Sequence, residues 1–132
     1  MIAVYPRKEQ LEALLAAPAD GPVVMLNLLR FKDEASAPDA GLSGREAYMK
    51  YGAAMRRLVE ARGGRFLWMG RVDSQVIGEG AEGFHTAALV EYPSRKVFVE
   101  LATSKEVAEI GVHRAAGLEG QWLLATTSSS GD

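Results

Sequence analysis

Between Pro22 and Lys32 the chain reads Val-Val-Met-Leu-Asn-Leu-Leu-Arg-Phe, a run that is apolar except at Asn27 and Arg30. A strand with one wet face alternates apolar and polar side chains. A run that is apolar in both phases belongs instead to a strand covered on both sides. Gly21-Pro22 in front and Lys32-Asp33 behind hold it to strand length, short for an ordinary helix. Such a strand belongs at the centre of a sheet. Whatever folds around it must shelter two faces and give one amide and one guanidinium partners.

The flanking sequence supplies that material. Pro6 to Ala16 reads as a first helix, with proline at its opening and a narrow stripe of Leu11, Leu14 and Leu15. Pro18 to Pro22 turns the chain into the strand, and Asp33 to Leu42 leaves it as a polar loop. Ser43-Gly-Arg-Glu46 is a capping box opening the longest helical pattern, carried by Tyr48, Tyr51, Met55, Leu58 and Val59 and stopped by Gly63-Gly64. Arg65 to Arg71 follows as a second strand, with an irregular continuation through Gln75 to Ile77. Gly78 to Gly83 is a turn and His85 to Tyr92 a third strand. Thr103-Ser-Lys-Glu106, a second capping box, makes a seam in the last helical region, so Ser94–Ala102 and Ser104–Val112 are two short helices or one kinked helix. Gln121 to Thr127 is the final strand, and residues 128–132 form a tail expected to fray.

After the first helix the order is strand, helix, strand, strand, helix, strand. This is the α+β, ferredoxin-like βαββαβ pattern: an antiparallel sheet with helices on one face and the two helix-preceding strands at its centre. The expected organisation is one domain, with an N-terminal helix and linker over 1–20 and the core over 21–127. Counting by twos assigns Val24, Leu26, Leu28, Leu67, Met69, Ala88 and Val90 to the helix side. It leaves Met25, Asn27, Leu29, Phe66, Trp68, Ala87, Leu89, Glu91, Trp122 and Leu124 on the other. A bare face with two tryptophans is a large apolar patch, so a second copy packed sheet to sheet is the expected cover.

The 132 residues are one domain's worth, and 48% hydrophobic with 24% charged is an ordinary globular balance. A net charge of −2, without a basic run, argues against nucleic acid. No cysteine means no disulfide, thiolate metal site or cysteine nucleophile. No apolar segment approaches the ~18 residues of a membrane span, and the start lacks signal-peptide character. The expectation is a cytoplasmic protein that contacts no membrane.

The segments Val-Val-Met-Leu-Asn-Leu-Leu-Arg-Phe-Lys, Gly-Arg-Glu-Ala-Tyr, Gly-Gly-Arg-Phe-Leu, Glu-Tyr-Pro-Ser-Arg and His-Arg-Ala-Ala-Gly-Leu follow in this order. In that series the chain resembles a short bacterial family known only as a domain of unknown function, within the dimeric alpha-beta barrel superfamily. The resemblance spans about Val23 to Leu124. It implies the ferredoxin-like fold and sheet-to-sheet dimerisation, and it implies no activity. The superfamily includes cofactor-independent monooxygenases, haem proteins, small isomerases and sensory modules, among which fold analogy does not choose.

Several residues carry candidate chemistry. Gly78 to Gly83 matches the dinucleotide fingerprint in letters, but a strand follows where the fingerprint needs a helix, so it reads as a hairpin turn. Asn27 and Glu91 fall on one face of adjacent strands near Trp68 and Trp122, where desolvation would favour a proton-accepting carboxylate; otherwise they pair structurally. Arg30 is placed to grip an anionic group beside Tyr48 and Tyr51, or to sit in a structural ion pair with the tyrosines in the core. Glu106, Glu109 and His113 share a helix face. A solvated face with a Glu109–His113 pair explains it better than a metal, and no haem-ligand motif is present. His85, at the start of a strand, is the one other histidine a metal could use and could equally be an edge residue.

The expected function is a homodimer with one small-molecule pocket per subunit. Asn27, Arg30, Tyr48, Tyr51 and Trp68 bind a small organic acid or aromatic metabolite; if the protein is an enzyme, it runs acid–base or oxygen chemistry with Glu91 or His113 moving protons, with no metal or cofactor. The alternative is a non-catalytic structural or sensory dimer in which these groups organise the core. A haem protein is the third reading.

Overall fold

A computed structural model describes residues 3–17 and 21–128; the linker positions 18–20 and the tail positions 129–132 lie outside the described residues. The elements run α1 (Lys8–Ala16), β1 (Val23–Phe31), α2 (Gly44–Ala61), β2 (Arg65–Arg71), β3 (Thr86–Tyr92), α3 (Arg95–Ala102), α4 (Lys105–Gly117) and β4 (Leu118–Thr126). The strands make one antiparallel sheet in the order β2-β3-β1-β4. This is the ferredoxin-like arrangement, with β1 and β3 at the centre and β2 and β4 at the edges.

Local chemistry sets the boundaries. Ser43 accepts a hydrogen bond from the Glu46 amide at 3.1 Å while Glu46 accepts from the Ser43 amide at 2.9 Å, so α2 opens on the expected capping box. The end of α2 needs a left-handed residue, which Gly63 supplies at φ 84. At the seam between α3 and α4 the cap is Ser104, whose hydroxyl accepts from Val107, rather than Thr103. Helix α4 runs on to Gly117, five residues past the expected Val112, and β4 begins directly at Leu118. Strand β2 ends at Arg71 without the expected continuation through Ile77.

The phase of β1 is the reverse of the one counted from sequence. Val23, Met25, Leu29 and Phe31 are buried. Val23 and Met25 pack with Met55, Val59, Phe98 and Leu101 of the helices, and Leu29 and Phe31 pack with Tyr48. Val24, Leu26 and Leu28 therefore lie on the open side, opposite Glu91, Leu89 and Ala87 of β3 and Thr126, Leu124 and Trp122 of β4. A run apolar in both phases offers period-two counting nothing to fix its phase. The assignments of β3 and β4 hold: Ala88 and Val90 are under the helices, Trp122 and Leu124 on the open face. In β2 a register shift between Phe66 and Trp68 makes Leu67 an extra residue. Phe66 therefore turns to the helix side against Val90, while Trp68 stays on the open face beside Leu89.

Two glycines fix how α2 meets α4. A Cβ on Gly44 would collide with the carbonyl of Lys32 and come within 2.7 Å of the Gly117 carbonyl. One on Gly117 would collide with the Gly44 carbonyl and sit 2.8 Å from the Tyr48 amide. Only backbone fits between them, and the start of α2 is thereby pressed onto the end of α4. His113 and Arg114 are carried in with it.

Candidate functional site

Polar groups converge in the layer between helices and sheet. Asn27 faces that layer from the middle of β1, where its Oδ1 accepts from Gln121 Nε2 at 2.8 Å and its Nδ2 donates to the Met25 carbonyl at 3.2 Å. The Gln121 Oε1 in turn accepts from the Arg114 guanidinium at 2.6 Å. Arg114 also donates to the Val4 carbonyl and lies 5.7 Å from the centre of the Tyr5 ring. Gln121 is held in place by its amide, which donates to the Ala3 carbonyl at 2.7 Å. A thread of side chains thus runs from the N-terminal arm through a cation to a half-buried carboxamide.

Beside the thread stand the tyrosines of α2. Tyr48 is 8% exposed, and its ring lies 5.5 Å from those of both Phe31 and Tyr51. Tyr92 of β3 packs edge-on against Phe98 at 4.9 Å. Burial raises the pKa of all three phenols. Tyr51 pushes Tyr48 and Tyr92 further up, while the Arg114 charge pulls Tyr48 and Tyr51 back. The phenols and the guanidinium share one electrostatic neighbourhood, with neutral donors near a cation in a low-dielectric setting.

The expected site residues divide among three places. Asn27, Tyr48 and Tyr51 are together on the helix side. Arg30, Trp68 and Glu91 are on the open face, so Asn27 and Glu91 share no face: Asn27 stands opposite Ala88, and Glu91 opposite Val24. Glu91 pairs with Arg65 at 2.9 Å. Trp68 is 55% exposed and leans so close to Gly70 that a Cβ there would collide with its indole. Arg30 donates to the Glu82 carbonyl, lies 5.4 Å from the Phe84 ring centre and stands 3.6 Å from Glu119. Its job is to pin the loop between β2 and β3, which then lays Phe84 against Trp122 at 4.8 Å. The cation of the helix-side cluster is Arg114.

His113 has its own partner, and it is Asp39 rather than Glu109. The imidazole Nδ1 is 2.7 Å from Asp39 Oδ2, and the other carboxylate oxygen accepts from Lys50 at 2.8 Å. Asp39 is 4% exposed, and its pKa is lowered by the Lys50 bond first and the His113 bond second, against the cost of burial. Sequence reading left Asp39 inside a polar loop; no spacing rule links it to a helix 74 residues away. His85 accepts the Phe31 amide at Nδ1 at 3.0 Å and stacks on the Phe31 ring. Among the described residues no group of three or more His, Cys, Asp or Glu side chains is placed to hold a metal ion, and no helix is long and apolar enough to cross a membrane.

Comparison with known proteins agrees with this architecture. A family model for a domain of unknown function (DUF1330) matches residues 27–127. The chain superposes on the crystal structure of a protein of unknown function from Rhodopseudomonas palustris at TM-score 0.88 and 32% identity, over 98% of this chain and 99% of that one. A dabb family protein with a ferredoxin-like fold from Mesorhizobium loti aligns at TM-score 0.55 and 13% identity, over 84% of this chain and 100% of that one. A hydroxynitrile lyase from Passiflora edulis aligns at TM-score 0.60 and 15% identity, over 85% of this chain and 97% of that one. At such identities the last two are similar in fold alone. No curated protein matches the chain.

Proposed function

The chain belongs to the family described as a domain of unknown function (DUF1330), and from that premise we propose that it is a homodimer with one small-molecule site per subunit, between helices and sheet. The ligand is a small organic acid or aromatic metabolite, and an enzyme built on this site runs acid–base or oxygen chemistry without a cofactor. The observation that carries the reading is the Arg114–Gln121–Asn27 thread beside Tyr48 and Tyr51. Arg114 donates to the Val4 carbonyl, a partner that a ligand oxygen could replace. A guanidinium offers a carboxylate two parallel donors, a stronger partner than one neutral carbonyl.

The open face supports the dimer. Leu26, Leu28, Leu89, Trp68 and Leu124 form one apolar surface, with Trp68 55% and Leu124 49% exposed. Covering it with a second copy gives β1 the second shelter that its sequence requires. A cytoplasmic location belongs to the same proposal, and cell fractionation tests it.

The test of the ligand site is a thermal shift series with benzoate and salicylate on the wild type, Arg114→Met and Tyr51→Phe. Binding predicts that one of these acids raises the melting temperature of the wild type and that Arg114→Met abolishes the rise. If neither acid nor any molecule released from the heat-denatured protein binds, and Arg114→Met only destabilises, the thread is structural. The non-catalytic dimer is then the correct reading.

A further inference from the structure

We propose that Asp39 and His113 form a proton-transfer dyad in which His113 Nε2 is the base and Asp39 the positioning residue. The inference gives the acid–base part of the functional reading its residues, and it stands on a different set of side chains from the ligand thread. Each oxygen of Asp39 has one partner, Lys50 on Oδ1 at 2.8 Å and His113 on Oδ2 at 2.7 Å. An ionised carboxylate only accepts, so the imidazole facing it carries its proton on Nδ1. The neutral ring then has its lone pair on Nε2. Among the described residues the ring's only hydrogen bond is the one through Nδ1, and the side chain is 31% exposed.

The chain thus holds a base whose tautomer is fixed by a buried anion and whose free nitrogen meets solvent. Lys50 alone would neutralise Asp39; the second partner adds a neutral imidazole that is 31% exposed. The charged groups around it are Asp39 on the loop, Lys50 on α2, and on α4 Glu109 one turn back and Arg114 next to it. Lys32, at the end of β1, reaches the Ala115 carbonyl two residues further along α4. The chemistry that fits is removal of a proton from a small weak acid, a C–H beside an electron-withdrawing group or an activated O–H. The proton passes to Nε2, the imidazolium is stabilised by Asp39, and the proton returns to product or solvent. Nothing is oxidised or reduced.

His85 is the chain's other histidine, and it is wired the opposite way. Its Nδ1 lone pair is occupied by the Phe31 amide, so its outer nitrogen bears the proton. The two imidazoles therefore make an internal comparison. One presents a lone pair and the other an N–H.

The probe is 5-nitrobenzisoxazole. A base takes its ring proton, the C–H electrons complete a nitrile, and the N–O bond breaks to leave a coloured phenolate. The wild type is expected to catalyse this, and His113→Gln to lose about 10²-fold. His85→Gln should leave the rate unchanged. In Asp39→Asn the amide donates to Nδ1 and forces the proton onto Nε2, so the rate should fall although the loop is still bridged. Nitrogen NMR of the wild type, which needs no variant to fold, should show the His113 proton on Nδ1. A protonated Nε2 in the neutral ring overturns the proposal, as does an equal rate in His113→Gln. Loss of benzoate binding in Arg114→Met with this activity intact would mark the two sites as separate.

Discussion

Gln121 of β4 donates through Nε2 to Asn27 of β1 at 2.8 Å, joining two neighbouring strands through their side chains on the helix side of the sheet. The same amide accepts from Arg114, so one side chain is both donor and acceptor in the layer where little else is polar. Cutting the thread at Asn27 strands a donor. Asn27→Leu should cost about 1–3 kcal/mol in urea denaturation, the penalty of an unsatisfied half-buried group. Gln121→Leu placed on top should cost much less than it does alone, because the pair acts as a unit. Fully additive losses would show that the two residues are independent.

The open face predicts an association constant that one charge can abolish. Leu26→Glu puts a carboxylate at the centre of the apolar surface, opposite Leu89 and Leu124. Sedimentation should shift from dimer to a single subunit while circular dichroism stays the same. Breaking the Arg65–Glu91 pair instead, where Arg65 is 66% exposed, should change stability by no more than about 1 kcal/mol.

Asp39 predicts the acid limb of the stability curve. Its pKa is held down in the folded chain by Lys50 and His113, so the unfolded chain binds the proton more readily. The stabilisation is complete above the ordinary carboxylate pKa of about 3.9 and is lost as pH falls through the lower folded value. The melting temperature of the wild type should drop steeply there. In Asp39→Asn it should be lower at neutral pH and flatter towards acid. Parallel curves for the two proteins would show that the carboxylate is not linked to folding.

The tyrosines predict the alkaline limb with the opposite sign. Tyr48, Tyr51 and Tyr92 have raised pKa values, chiefly through burial, so the folded chain keeps protons that the unfolded chain gives up. Their contribution is complete below about pH 10 and declines as pH rises towards the folded values. Ultraviolet difference spectra should show these phenolates appearing together with unfolding rather than before it. Tyr51→Phe should remove part of that coupling.

Gly44 and Gly117 predict a strict size limit. Gly117→Ala would push a methyl group into the Gly44 carbonyl and the Tyr48 amide, backbone atoms that cannot turn aside. Relieving that clash means separating α2 from α4, at a cost of about 1–3 kcal/mol or more. Gly111→Ala, where a Cβ meets nothing, is the control on the same helix and should be neutral or stabilising. Equal effects at the two positions would refute the interlock.

Element order was legible because it rests on local chemistry. The doubly apolar run marked β1 as central, Ser43-Gly-Arg-Glu46 opened α2, and Gly63 closed it, each through interactions within a few residues. The candidate site was legible only in part. Asn27, Tyr48 and Tyr51 could be named from their place on a strand and a helix, yet the cation beside them had to be chosen without knowing a face. Arg30 and Arg114 are both arginines at the ends of elements. Which one meets the tyrosines depends on the phase of β1, and that phase is silent in its sequence.

The sequence by itself determined that there is one antiparallel sheet, that β1 lies within it, and that two faces need cover, since these follow from periodicity and caps. Tertiary structure decided which face each side chain occupies, through the bulge at Leu67 and the pairing of β1 with β3 and β4. It also brought Asp39 to His113 and Gln121 to Asn27, pairs separated by 74 and 94 residues. Hydrogen bonds across such distances form only after the sheet has closed and the glycines of α2 and α4 have met. No local pattern can encode them.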